Sequence, residues 1–362
     1  MKRVKFYSKE RESSRLRSRT LAISAITTFL AVGALVAVPA PYVIRSPGPT
    51  KDVLGMVNSA DLIQIDNAKT YPTTGQLRLT TVGVAGGPGF DVNFAQVLRG
   101  WLDPKRAVAP VETVFPPDVT SEEVATENQA QMVSSQENAA YAALTELGYK
   151  VPTTLSVGFL LDDSPAAGLI AENDVLTSLN GSAIDSYDSL LESLKNITPG
   201  TEVTVGFTRD GKDKTVKFAT LPNDDNSGSR LGIALNPQFD FPIDVDITIP
   251  NIGGPSAGMM LALGIMDKLT PEDETGGQII AGTGTMDTLG QVGAIGGIQQ
   301  KLWGAQRDGA RYFLAPESNC DEVIGHIPSG LRVVAVDTLE DAWNAVQAIG
   351  NGQATNLPTC TN

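Results

Sequence analysis

The 362-residue sequence predicts an α+β chain with one N-terminal transmembrane helix, a small β-rich domain and an α/β region. Three observations carry this expectation. A long apolar run follows a basic leader. Residues 154–222 read as short strands joined by tight turns. From residue 231 onward strands and helices alternate, with glycine-rich joints. The expected divisions are a leader at 1–19, an anchor at 20–41, a first folded region at 42–150, the β-rich domain at 151–222, a linker at 223–230, the α/β region at 231–350 and a tail at 351–362.

The leader carries six excess positive charges, which leaves −20 on the rest of a chain whose net charge is −14. A body that acidic is repelled by phosphate backbones, so nucleic acid is not an expected partner. The run from Leu21 to Ala40 holds only Ser24, Thr27 and Thr28 as polar residues, about the length that crosses a bilayer as a helix. The basic flank places 1–19 in the cytoplasm and the chain after about 42 outside. A cleaved signal peptide would show a shorter apolar core and a small-x-small site. Val38-Pro39-Ala40-Pro41 is crowded by prolines, which favours an uncleaved anchor. Cys320 and Cys360 both fall on the outer side, where a disulfide is permitted; two buried thiols are the alternative. No spacing of Cys, His or carboxylates resembles a metal site, and no cofactor is expected.

After the anchor, Ser46-Pro47-Gly48-Pro49 reads as a stiff turn. Residues 75–82 alternate as a strand, and 90–101 suit a short amphipathic helix. Residues 120–147 predict a helix, with Ser121 as cap, Glu122 and Glu123 in the first turn and Gly148 as its end. The segment 108–117 is broken by prolines and reads as a connection. Strands are expected at 155–161 and 174–181, the latter ending in an Asn-Gly turn. A helix at 186–196 and a hairpin at 201–208 and 214–219 follow. Beyond the polar linker come strands at 243–249, 278–282, 311–315 and 332–336, and helices at 256–269, 298–307 and 339–349.

The chemistry concentrates at Gly254-Pro255-Ser256-Ala257-Gly258 and at Lys301, 45 positions after the serine. A serine needs a base before it attacks a carbonyl. The chain has one histidine, so a serine–lysine pair is the expected solution. Glycines let backbone approach a substrate, and a serine at a helix start faces unpaired N–H groups that stabilise an oxyanion. The same serine would equally serve as a helix cap. On the helix from Ile298, the positions 298, 301, 302 and 305 share an apolar face, while Gln300, Gln306 and Arg307 point elsewhere. Desolvation there lowers a lysine pKa; the alternative is an amine that reaches back to water. Lys268 is a weaker candidate, about 18 Å along the serine's own helix. His326 sits in a loop, with no chemical role expected.

Two resemblances follow. Ser-Pro-Ala-Ala-Gly-Leu at 164–169, then Asn-Asp-Val-Leu at 173–176 and Leu-Asn-Gly at 179–181, resemble a bacterial PDZ domain over about 70 residues. That implies a small β-barrel which adds an extended peptide to a sheet edge, near Gly158 and Phe159. Gly254–Gly258, the run 281–285, the run 290–302 and the run 310–319 resemble the proteolytic domain of Lon proteases over about 100 residues. The resemblance implies Ser256 as nucleophile, Lys301 as base, Thr283 as a support for the lysine, and Gly254 and Ala257 as supporting positions. An acidic residue that often precedes the motif is glycine here. Residues 75–82 and 132–140 resemble the early strand and helix of the same domain, which places the PDZ domain as an insert within it. With its anchor, the arrangement is similar to the membrane-anchored PDZ–Lon-like proteins of Gram-positive bacteria. Lon-like domains form rings, so a homo-hexamer is implied. No Gly-x-x-x-x-Gly-Lys-Ser/Thr occurs, so ATP hydrolysis is not expected. The expected activity is an ATP-independent serine endopeptidase acting on flexible or unfolded proteins outside the cell. The alternative is a tethered PDZ adaptor whose Lon-like part is inactive or cuts only its own chain.

Overall fold

The computed structural model describes residues 4–223 and 228–360. Half of the expected linker, at 224–227, and the first three residues of the leader therefore lie outside the described residues. Helix α1 (Val4–Ala37) contains an apolar span, Arg17–Ala37, none of which is buried. It ends earlier than the apolar run does, because the residue before Pro39 is pushed out of helical geometry. Pro39–Ala40 is instead extended and pairs with Val92–Asn93.

Strand β1 (Tyr42–Asp52) occupies the place expected for a stiff turn. Its prolines are tolerated because the pairing register shifts between Pro47 and Thr50, as at a bulge. Strand β2 (Gln76–Ala85) and helix α2 (Phe94–Leu102) follow. An Asn93–Gln96 capping box starts α2. The expected connection at 108–117 contributes strand β3 (Ala107–Pro110), which pairs with β1. Helix α3 (Ser121–Glu146) is capped by Thr120, not Ser121, since Glu123 closes a capping box with that threonine. Gly148 terminates it at φ +83°.

The chain then leaves for a second unit with its own core, which includes Leu155, Val157, Leu176, Leu190, Val205 and Phe207. Its elements are β4 (Thr153–Leu160), β5 (Val175–Leu179), α4 (Tyr187–Lys195), β6 (Glu202–Arg209), β7 (Lys212–Ala219) and β8 (Ile233–Phe239). The antiparallel strand order is β7-β6-β5-β4-β8. Asn180-Gly181 and Asp210-Gly211 have positive φ, as tight hairpin turns require. Strand β8 lies beyond the expected end at 222, so this sheet reaches residue 239. Sequence adjacency to the α/β region concealed that pairing.

The main elements that follow are α5 (Gly258–Leu269), β9 (Ile279–Gly282), α6 (Ile298–Arg307), β10 (Tyr312–Pro316), α7 (Cys320–Val323), β11 (Arg332–Val336) and α8 (Leu339–Gly350). They share one sheet with the N-terminal strands, in the order β11-β10-β9-β2-β1-β3. The β11, β10, β9 and β2 joins are parallel, and β1 and β3 add antiparallel. Residues 153–239 are thus an excursion from a sheet built by both halves of the chain. Helix α5 is buried from Gly258 to Lys268 because the sheet, α3 and α8 all pack on it. A helix that is apolar nearly all round belongs in such a place. A disulfide joins Cys320 to Cys360 and ties the tail to this unit.

Candidate active site

Ser256 stands just before α5, whose N-cap is Ala257. Pro255 and Ser256 therefore lie outside the helix, not in its first turn as expected. The cause is a competing bond. The Ser256 carbonyl accepts from Gly284 N–H at 3.1 Å and from Thr283 Oγ1 at 3.0 Å, across the molecule. The approach is fixed from the other side by α3. Gly254, at φ +85°, donates its N–H to the Asn128 carbonyl at 2.8 Å. A side chain at Gly253 would collide with Asn128. Ser135 Oγ donates to the Pro255 carbonyl at 2.9 Å. Among the described residues, the backbone N–H groups of Ser256 and Ala257 have no protein acceptor.

Lys301 arrives on α6, one turn after Gly297, which starts that helix in a left-handed conformation. As expected, Ile298, Lys301, Leu302 and Ala305 are buried, and Lys301 is only 3% exposed. Gln300 is buried too, against expectation, so the buried surface of α6 is wider than its apolar stripe. Lys301 Nζ lies 2.8 Å from Ser256 Oγ and 2.8 Å from Thr283 Oγ1. Burial pushes the amine from the ordinary lysine range down to about 7.

The direction of the bonds matters. The Thr283 hydroxyl spends its one proton on the Ser256 carbonyl, so toward Lys301 it can only accept. One N–H of the amine is thereby committed to Thr283. A neutral amine held that way keeps its lone pair for the Ser256 hydroxyl. Ser256 and Lys301 line a cavity of about 390 Å³ that is also lined by Thr80, Val82, Gly83 and Asn251. Strand β2 pairs with β9 only through Leu79, so beyond that point its backbone borders the cavity with that edge unpaired.

Other expected residues fall elsewhere. Lys268 pairs with Asp61 at 2.7 Å near the far end of α5. His326 is exposed. Gly158 and Phe159 lie on β4 past the Leu155–Ser156 ladder with β5, and Phe159 pairs with Ala234 of β8. The sheet's two edges are β7 and β8, and on the β8 side a groove of about 810 Å³ runs between α4 and residues 229–235. Leu190, Leu191, Leu194, Ile233 and Leu235 line it. Ser135 was missed as well. Its signal was a polar residue on the buried stripe of α3 with Met132 and Ala139. Among the described residues, no group of three His, Cys, Asp or Glu side chains is placed to hold a metal ion.

Comparison with known proteins agrees with this layout. Residues 235–347 match the Lon protease (S16) C-terminal proteolytic domain, and residues 155–220 match the PDZ domain. The Lon protease of Mycoplasma pneumoniae is 34% identical over 119 residues, 31% of this chain and 15% of that protein. The Lon protease of Campylobacter concisus is 31% identical over 137 residues, 36% of this chain and 17% of that protein. Lon protease 2 of Bacillus subtilis is 32% identical over 108 residues, 28% of this chain and 19% of that protein. The chain thus spans less than a fifth of the length of these relatives. Among solved structures, the PDZ domain of an SdrC-like protein from Listeria monocytogenes is 22% identical, covering 24% of this chain and 88% of that chain at a TM-score of 0.22. A Lon-type proteolytic domain and a PDZ domain are present, and the protease relatives support a serine-peptidase function.

Proposed function

We propose that this chain is an ATP-independent serine endopeptidase, with Ser256 as nucleophile and Lys301 as general base, held at a membrane by α1. The observation that carries the reading is a nearly dry amine 2.8 Å from the serine hydroxyl. Neutral Lys301 takes the Ser256 proton as Oγ attacks a peptide carbonyl. The free N–H groups of Ser256 and Ala257 receive the oxyanion. Lys301 then gives its proton to the leaving amine, and an ester to Ser256 remains. Water, deprotonated by the same lysine, hydrolyses that ester and restores the hydroxyl. Thr283 is a positioning residue throughout.

The unpaired backbone beyond Leu79 on β2 suits a substrate in extended form. A folded protein does not present such a stretch, so flexible or unfolded segments are the substrates. The α4–β8 groove takes a second extended segment by adding a strand to β8, and so recruits protein substrates. With α1 crossing the bilayer and the basic leader inside, both sites lie outside the cytoplasm, and assembly into a ring follows the relatives' domain. The test uses the full chain in detergent with casein and no nucleotide. Wild type is expected to cleave it, and Ser256→Ala and Lys301→Ala are expected not to. Persistent cleavage by pure Ser256→Ala protein would reject the assignment.

A further inference from the structure

Helix α2 has more apolar surface than its own domain covers. Val97 and Gly100 are buried, the latter facing Val108 and Ile44. A second stripe, Phe94, Leu98, Trp101 and Leu102, follows the i, i+4, i+7, i+8 spacing of one helix face. Leu98 is 50% exposed, Trp101 59% and Leu102 78%, and Phe90 in the preceding loop is 72% exposed. A helix on a solvated surface turns charge outward at such positions. Contiguous apolar surface of this kind marks a contact site.

The position of α2 says what makes the contact. The strand that leaves α1, Pro39–Ala40, pairs with Val92–Asn93, and α2 begins at the next residue. One strand spacing, about 4.8 Å, therefore separates the exit of the anchor from the start of α2. The two helices also touch. The span Arg17–Ala37 has a mean hydropathy of 2.1. Where its end meets the bilayer surface, α2 is at the surface too. Trp101 packs edge-on against Tyr42, with ring centres 5.7 Å apart, and aromatic residues of this pair are those that settle at headgroup depth.

We infer that α2 lies in the membrane interface, with Phe90 and the Phe94–Leu98–Trp101–Leu102 stripe seated among the lipid headgroups and first acyl carbons. This rests on the reading of α1 as a membrane span. The catalytic unit is then held at two points and cannot swing freely on its tether. The second hold reaches the site by a short path. Helix α2 packs on β1, and Arg307 at the end of α6 donates to the Gly48 carbonyl of β1 at 2.8 Å. Lys301 is on that same α6.

The test reconstitutes the full chain in phosphatidylcholine–phosphatidylglycerol vesicles and follows tryptophan emission. The Trp101 component is the difference between wild type and Trp101→Phe. Brominated lipid is expected to quench that component roughly twofold, because interfacial helices sit about 5–10 Å into the headgroup and acyl boundary. The emission that remains in Trp101→Phe, from Trp303 and Trp343, is expected to be unchanged. Leu98→Ser with Leu102→Ser is expected to lose the quenching while short-peptide hydrolysis persists; if that variant does not fold, the wild-type difference decides alone. A chain that survives an alkaline wash of the vesicles with Trp101 unquenched overturns the inference and leaves the anchor standing. A chain that washes off removes the anchor reading, and the inference with it. An unquenched Trp101 together with a smaller assembly of the double variant in detergent assigns the face to a second copy of the chain, which also overturns it.

Discussion

Two cavities of this molecule, the Ser256 cavity and the α4–β8 groove, are built on opposite principles. At the candidate active site the polar side chains are tied to one another, and the backbone N–H groups of Ser256 and Ala257 are left without a protein acceptor among the described residues. Thr283 is bound to both partners of the reacting pair, and Ser135 and Asn128 hold the turn before Ser256. The α4–β8 groove is lined by several leucines and Ile233, with Asp188, Glu192 and Lys195 among them, and is bordered by a strand edge with no strand beyond it. The first arrangement fixes one geometry and lowers one pKa. The second leaves backbone bonds to be made by whatever arrives.

The sharpest way to break this contrast is to remove the reacting pair. Ser256→Ala and Lys301→Met are each expected to lower kcat by about 10⁴-fold or more, as removal of one member of a catalytic pair does elsewhere. The two should differ in stability. A buried amine is costly, and methionine fills a similar volume without a charge. Lys301→Met is therefore expected to melt higher than wild type, measured by calorimetry. The sign with pH follows from the lowered pKa. Between about 7 and the ordinary lysine range the unfolded chain holds more protons here than the folded one. The penalty is full below about 7 and fades as pH rises, so the gap between mutant and wild type should narrow at alkaline pH. A gap that widens there would show that Lys301 is not a depressed amine.

Thr283→Val comes next, with a loss of about 10²-fold in kcat, the scale of one preorganised polar contact. Thr283→Ser should recover most of it, because the hydroxyl and its proton direction return. A structural role alone would not restore the rate that way. The pH profile sharpens the same point at smaller cost. Catalysis needs the neutral amine, so kcat/KM should fall about tenfold per unit below pH 7 and flatten above it.

The Ser256–Thr283–Lys301 cluster was legible in the sequence because its signals are local. A glycine-flanked serine, a lysine on an apolar stripe at 298, 301, 302 and 305, and a threonine at a strand end each declare themselves within one element. The pairing of β4 with β8 was not legible because alternation shows that a segment is a strand, and not which strands flank it. Edge status depends on β8, whose partner β4 is some 75 residues earlier in the chain. The same holds for β1 and β3, where prolines read as breaks until a bulge and an edge position accommodate them. Local capping misled by one residue at Thr120, since two adjacent hydroxyls offered the same chemistry and only the Glu123 contact chose between them.

The smallest expected effect tests the other half of the comparison. Leu191 projects from α4 into the groove, and Leu191→Arg places charge where an apolar side chain of a bound segment would rest. Protein-substrate cleavage should fall by about tenfold, the cost of roughly 1.4 kcal/mol of binding, and short-peptide hydrolysis should fall much less. The distinction matters because the groove and the Ser256 cavity share no lining residue. A short peptide reaches the serine without using β8, while a long chain gains from a second attachment that raises its local concentration. Equal losses for both substrates would mean that the insert supports the catalytic unit mechanically and recruits nothing. Competition sharpens the result further. A free peptide that binds the groove should slow casein cleavage by wild type and leave Leu191→Arg unaffected, because only the wild-type groove has the leucine wall that such a peptide needs.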